Sequence, residues 1–235
     1  MKEFLVYAFP ITTIELLAAV AGLFLISKRK TDAATKYFIY FLCFTVLVEI
    51  VGYYAPLAYF SGYKLFYFVE GTVFENNYWL YNINSIISYV IYVSYFKWQL
   101  NSPRIRTFLN VILVLFVISC MLNLIFSDVY FIAFSSFTEV IGTILVLFSI
   151  SLYYYQLLNS DEILKFDKSL PFYISLGAIL LHLVLTPVFI YSHHFDSESP
   201  EFVELYKTIL LFTNLLVYLL YTIGFVICLK KKGFS

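Results

Sequence analysis

Three carboxylates, Glu15, Glu49 and Glu139, interrupt stretches of this 235-residue chain that are otherwise nearly free of charge. His182 and the amides of Asn82, Asn84, Asn123 and Asn214 lie in equally apolar surroundings. If those stretches cross a bilayer, each charge costs about 2.5–3.5 kcal/mol at a helix centre on insertion scales, so an ionisable residue there is read as functional by default. The chemistry these types suit is binding of a cation or protons by Glu15, Glu49 and Glu139, with His182 as their partner. Asn82, Asn84 and Asn214 complete the candidate ligand- or proton-binding set. Carboxylates held close together in a medium of low dielectric repel one another, so ligand entry or exit is expected to move a proton. The alternative is a dry hydrogen-bonded network between helices, which for each Asn taken singly is the preferred role.

The elements that must position these groups are helices with one polar stripe each. Thr12, Glu15, Ala19 and Gly22 fall at helical spacing on the first segment, and Thr45, Glu49, Gly52 and Pro56 on the second. The same spacing joins Asn82, Ser85 and Tyr89; Ser136, Glu139 and Thr143; Ser175, Ala178 and His182; and Asn214, Tyr218 and Tyr221. Residues three or four apart share a helix face, and faces of small and polar residues belong between helices. All six stripes are therefore expected to face one interior. Pro10 and Pro187 interrupt the outer parts of their segments, freeing a carbonyl one turn earlier; static bends are expected there. Pro56 and Pro171 lie near segment ends.

A hydrocarbon core about 30 Å thick needs roughly 20 apolar residues per helix. Seven segments qualify: 5–26, 37–60, 78–96, 107–126, 130–152, 171–191 and 207–229. The reading is an all-α integral membrane protein, a single seven-transmembrane-helix bundle over 1–235. A barrel would show alternating runs of about ten residues instead. No basic region with a cleavage site precedes the first segment, so it is expected to remain as a helix.

Orientation follows from the 15 Lys and Arg. Lys28, Arg29, Lys30, Lys36, Lys97, Arg104, Arg106, Lys165, Lys168, Lys230, Lys231 and Lys232 fall on one side, and only Lys2, Lys64 and Lys207 on the other. Cytoplasmic loops retain Lys and Arg, which puts the N-terminus outside and the C-terminus in the cytoplasm. Glu3, Glu70, Glu75, Asp128, Asp196, Glu198, Glu201 and Glu204 gather on the outer side. With no sequon and no cleavable signal, a bacterial inner membrane is the expected location.

An internal echo runs through the chain. Aligning Glu15 with Glu139 matches Leu23-Phe24 to Leu147-Phe148 and Ile26-Ser27 to Ile150-Ser151, while aligning Asn82 with Asn214 brings Tyr89 onto Tyr221. These matches suggest a parallel repeat of three helices, a linker helix and three more.

The connections add expectations of their own. The fourth and fifth helices are joined by little more than Ser127 and Asp128. The segment 61–77 suits the headgroup boundary, where aromatics are favoured, with a lid over an outward cavity as the alternative. Leu157, Leu158 and Leu164 fit an extension of the fifth helix into the cytoplasm. His193 and His194 with Asp196, Glu198, Glu201 and Glu204 offer metal-ligand types at the outer mouth, but no tetrahedral spacing, so no metal is expected. Cys43, Cys120 and Cys228 all lie inside segments and give no disulfide.

With 62% hydrophobic residues and short loops, the chain has no room for a soluble catalytic module. The seventh segment has no lysine after Lys207 at its outer edge, where a retinal protein needs one, no Pro-Gln dipeptide of the sugar carriers with this helix order occurs, and no nucleotide-binding or hydrolase motif is present. No cofactor and no nucleic acid are expected; the lipid bilayer and a small-molecule or ion ligand are the partners. The function that follows is binding or transport of a small solute or ion at an acid-lined, outward-facing pocket. The rivals, less favoured, are a lipid-modifying enzyme using His182 and a Glu as acid and base, and a sensor subunit signalling through a separate partner.

Overall fold

In the computed structural model, which describes the backbone of residues 2–192 and 200–230 and the side chains of 6–190 and 203–230, every regular element among the described residues is helical. The order is α1 (Lys2–Lys28), α2 (Ala33–Gly52), α3 (Tyr54–Phe60), a 3₁₀ turn (Tyr67–Val69), α4 (Tyr78–Gln99), α5 (Pro103–Phe126), α6 (Val129–Ile132), α7 (Ser136–Leu158), a 3₁₀ segment (Asp161–Lys168), α8 (Leu170–Ser192) and α9 (Pro200–Lys230). Six stretches are long and apolar enough to cross a membrane, as in a multi-pass membrane protein: Val6–Lys28, Ala33–Phe60, Pro103–Phe126, Ser136–Leu158, Leu170–Ile190 and Val203–Lys230. The exception is α4, whose 22 residues carry two asparagines, three serines and the polar edges of several tyrosines. Side chains turned outward are apolar, such as Leu16, Val20 and Phe24 on α1 and Val111, Leu115 and Ile118 on α5. Polar groups are gathered inside, the arrangement that lipid solvent demands.

Local signals fix several helix ends. Asp32 caps α2, its Oδ1 accepting from the Thr35 amide at 2.6 Å. Pro103 opens α5, where its missing N–H costs nothing. Arg29 donates to the carbonyl of Leu229 at 2.9 Å and ties the C-terminal end of α1 to that of α9. Both α1 and α8 run through Pro10 and Pro187 as single helices.

Three expectations about boundaries are corrected. The segment 37–60 divides at Tyr53 into α2 and α3. Pro56 cannot donate to the carbonyl of Gly52, and Asn77 Nδ2 takes that carbonyl at 3.0 Å. The fifth helix begins at Ser136, six residues later than the apolar run suggests, with the short α6 placed before it. Asn82 of α4 explains this: its Nδ2 donates to the carbonyls of Tyr130 and Ala133 at 3.1 and 2.9 Å, and its Oδ1 accepts from the Ser135 amide at 2.9 Å. Ser135 then caps α7 through Thr138. At its other end α7 reaches Leu158, but Asn159 and Ser160 turn the chain into the 3₁₀ segment, leaving Leu164 exposed and outside any extension of α7.

Six helices pack in the cyclic order α1, α2, α4, α7, α8, α9 and back to α1, while α5 lies against α4 and α7. The interior toward the C-terminal ends of α1 and α9 is aromatic. Phe38 packs on Tyr92, Tyr95 and Tyr221 with ring centroids 5.2–5.7 Å apart, and the hydroxyls of Tyr92 and Tyr221 meet at 2.8 Å. These rings are fully buried or nearly so. They close the interior beneath the polar groups.

Candidate functional site

Each stripe turns its polar group inward. Glu15 is 2% exposed, Glu139 and His182 are each 6% exposed, and Glu49 is half-buried. Glu49, Glu139, His182, Asn84 and Asn214, contributed by α2, α7, α8, α4 and α9, line one cavity of about 170 Å³. Glu15 sits just behind its wall, beside the side chain of Tyr218 and within electrostatic reach of Glu49. Asn82 is placed elsewhere, because all its hydrogen bonds hold the connection before α7. Asn123, likewise, accepts from Ser135 Oγ at 2.9 Å in that connection.

The acids differ in how they are satisfied. Both oxygens of Glu139 are occupied: Ser85 Oγ donates to Oε1 and the Tyr89 hydroxyl to Oε2, each at 2.7 Å. The network continues through Thr143, 3.3 Å from the same hydroxyl, to Thr186 at 2.6 Å. Glu49 receives one donor, the Tyr81 hydroxyl, on Oε2 at 3.0 Å. Glu15 Oε2 is buried without a hydrogen-bond partner among the described residues, as are His182 Nε2 and Asn84 Oδ1. The His182 ring lies between those of Tyr89 and Tyr92, at centroid distances of 4.8 and 5.1 Å. Asn214 turns its Nδ2 back to the Leu210 carbonyl of its own helix.

A second cavity of about 220 Å³ adjoins this one. It is lined by Tyr7, Tyr53, Asn77 and Lys207, and it shares Glu49, Tyr81 and Leu210 with the first. Glu49 and its Tyr81 donor therefore stand between the two spaces. Room for Tyr81 comes from Gly52: a methyl group there would sit 2.6 Å from the hydroxyl.

Tyr81 and Thr186 are functional candidates that the polar stripes did not single out, whereas Tyr218 lies on the stripe of Asn214. The signal was available on α4, where Tyr81, Ser85, Ser88 and Tyr92 follow one another at helical spacing and all line the cavity. Reading α4 from Asn82 favours instead the adjacent face that meets α7.

Among the described residues no group of three or more His, Cys, Asp and Glu could hold a metal ion. His193, His194, Asp196 and Glu198 lie outside the described residues, Glu201 has no described side chain, and Glu204 is exposed. Cys43, Cys120 and Cys228 form no disulfide among the described residues. The segment 61–77 is pinned to α3 and to itself: Tyr54 donates to the carbonyls of Phe74 and Asn76, and Tyr63 donates to Glu75, a bond that pushes its phenol up to about 12. Leu65, Tyr67 and Phe68 remain exposed.

No protein-family model, curated protein or solved structure matches this chain, and its functional reading rests on its own residues.

Proposed function

We propose that the chain is a seven-helix membrane protein that binds, and carries across the bilayer, a small solute or ion at the acid-lined cavity. In this reading α4 is the seventh crossing, its polarity turned onto the cavity and onto α7 rather than toward lipid. The positive-inside rule sets the N-terminus outside and the C-terminus in the cytoplasm, in a bacterial inner membrane. The observation that carries the proposal is the meeting of Glu49, Glu139, His182, Asn84 and Asn214 from five helices at one cavity. Two features support an outward opening. The adjoining cavity reaches Tyr7, Asn77 and Lys207 near the outer helix ends, and the aromatic layer of Phe38, Tyr92 and Tyr221 closes the opposite side. The cyclic helix order supports the parallel repeat, since exchanging α1, α2 and α4 with α7, α8 and α9 leaves that order unchanged and sets α5 apart as the linker. The lipid-modifying alternative gains no support, because His182 Nε2 has no carboxylate partner among the described residues.

The test is flux in proteoliposomes screened against cations, amino acids and lipids while proton movement is followed. A ligand-dependent signal that Glu49→Gln abolishes in a folded protein is the expected result. Lipid product without solute flux, lost in His182→Ala, would instead support the enzyme. A tag after Ser235 should be inaccessible from outside intact cells, and its labelling there would overturn the orientation.

A further inference from the structure

Resting on that binding reading, we propose that the ligand is a small organic ammonium, an amine cation on an apolar body, rather than a metal ion or an anion. The wall of the cavity contains no Lys or Arg, while Glu49 and Glu139 reach it from the helices on either side of α4. The hydroxyl donors beside the acids are committed to them: Tyr81 to Glu49 at 3.0 Å, and Ser85 and Tyr89 to Glu139 at 2.7 Å. An anion would find no Lys or Arg as countercharge on this wall and two acids beside it.

The remaining surface is aromatic. Tyr81, Tyr89 and Tyr92 line the cavity together with Phe134 and Phe189, and the tyrosine hydroxyls are held by other groups. Ring faces attract an organic cation, by about 0.5–2 kcal/mol per contact depending on desolvation. An alkali or divalent ion instead requires a converging shell of oxygens, and among the described residues no group of three or more His, Cys, Asp and Glu converges to hold a metal ion. Asn84 Oδ1, an acceptor, has no partner among the described residues, and an ammonium N–H brings a donor to it. Size sets the upper limit. A cavity of about 170 Å³ holds the volume of roughly six waters at about 30 Å³ each, enough for a compact amine of about eight heavy atoms.

Charge and shape can be separated with isosteric pairs. The full-length protein, purified in nanodiscs, would be titrated calorimetrically with benzylamine against benzyl alcohol, choline against 3,3-dimethylbutan-1-ol, and with sodium and potassium chloride. The expected result is binding of at least one ammonium ten-fold or more tighter than its neutral isostere. Glu49→Gln should weaken that binding at least ten-fold, and Phe189→Leu, at a partly buried ring of the cavity wall, should weaken the ammonium more than its neutral isostere while the helical content is retained. Tight binding of sodium or potassium with silent amines would overturn the ammonium assignment and leave the binding reading standing. Equal binding of charged and neutral isosteres would also overturn it. Silence from every probe, with a folded protein, would count against both.

Discussion

Glu15 on α1 and Glu139 on α7 are both buried acids of the bundle interior, yet they are held differently. Each faces a tyrosine from another helix, Tyr218 on α9 for Glu15 and Tyr89 on α4 for Glu139. Glu139 has both oxygens satisfied, by Ser85 and Tyr89, and its network extends to α8 through Thr143 and Thr186. Glu15 keeps one oxygen unpartnered among the described residues and has Glu49 as a neighbouring acid. Hydrogen bonds to a charged group contribute about 1.5–3 kcal/mol each, so the α7 acid is a fixed strut with its donors in place. The α1–α2 pair has more oxygens than donors. Two buried acids of one interior thus differ in kind, one held by its donors and the other left with an oxygen unpartnered among the described residues.

The sharpest way to break the fixed side is through Gly142. A methyl group at that position would lie 2.4 Å from Cγ of Tyr89, at the root of the ring rather than at its flexible end. Gly142→Ala should therefore push Tyr89 off Glu139 and cost about 3 kcal/mol, the upper part of the usual overpacking range, read as a shift in SDS-induced unfolding. Next comes the pair of hydroxyl deletions. Tyr89→Phe strips a donor from a buried carboxylate and should cost about 1.5–3 kcal/mol, whereas Tyr218→Phe leaves an already under-satisfied acid and should cost under about 1 kcal/mol. Equal losses would erase the distinction between the two acids.

A smaller effect is expected at the outer helix ends. Asn77→Ala leaves the Gly52 carbonyl unpartnered where Pro56 cannot serve it and should cost about 1 kcal/mol, while Asn82→Ala, losing three bonds to the 130–135 connection, should cost about 2–3 kcal/mol. The smallest effect concerns Tyr63. Its folded value of about 12 lies above the ordinary phenol value of about 10, so its bond to Glu75 supports the outer segment fully below about pH 10 and is lost as pH rises through about 12. Spectrophotometric titration should show that late phenol return toward its ordinary value in Glu75→Gln.

Much of this arrangement was legible in residue spacing. The stripes carrying Glu15, Glu49, Glu139 and His182 turn inward because a period of 3.6 fixes which residues share a face, and lipid leaves polar groups nowhere else to go. What was not legible depends on contacts far apart in sequence. The start of α7 is set by Asn82, some 50 residues upstream, and hydropathy alone carries the apolar run Tyr130–Phe134 straight into the helix. The role of Asn82 as a bracket was hidden for the same reason, since an amide in an apolar helix looks alike whether it meets a ligand or a loop. Tyr81 escaped notice because its partner, Glu49, lies on another helix. Gly52, read only as a small residue on the α2 face, proves to be the space into which that tyrosine fits.

The division between a fixed and a responsive acid can be tested by infrared difference spectroscopy of carboxyl protonation. The purified protein would be reconstituted and perfused with the best ammonium probe. A carboxylic acid band that changes on binding should vanish in Glu49→Gln and persist in Glu139→Gln, provided each variant retains its helical spectrum. Persistence of the band in Glu49→Gln, or its loss in Glu139→Gln, would contradict the account.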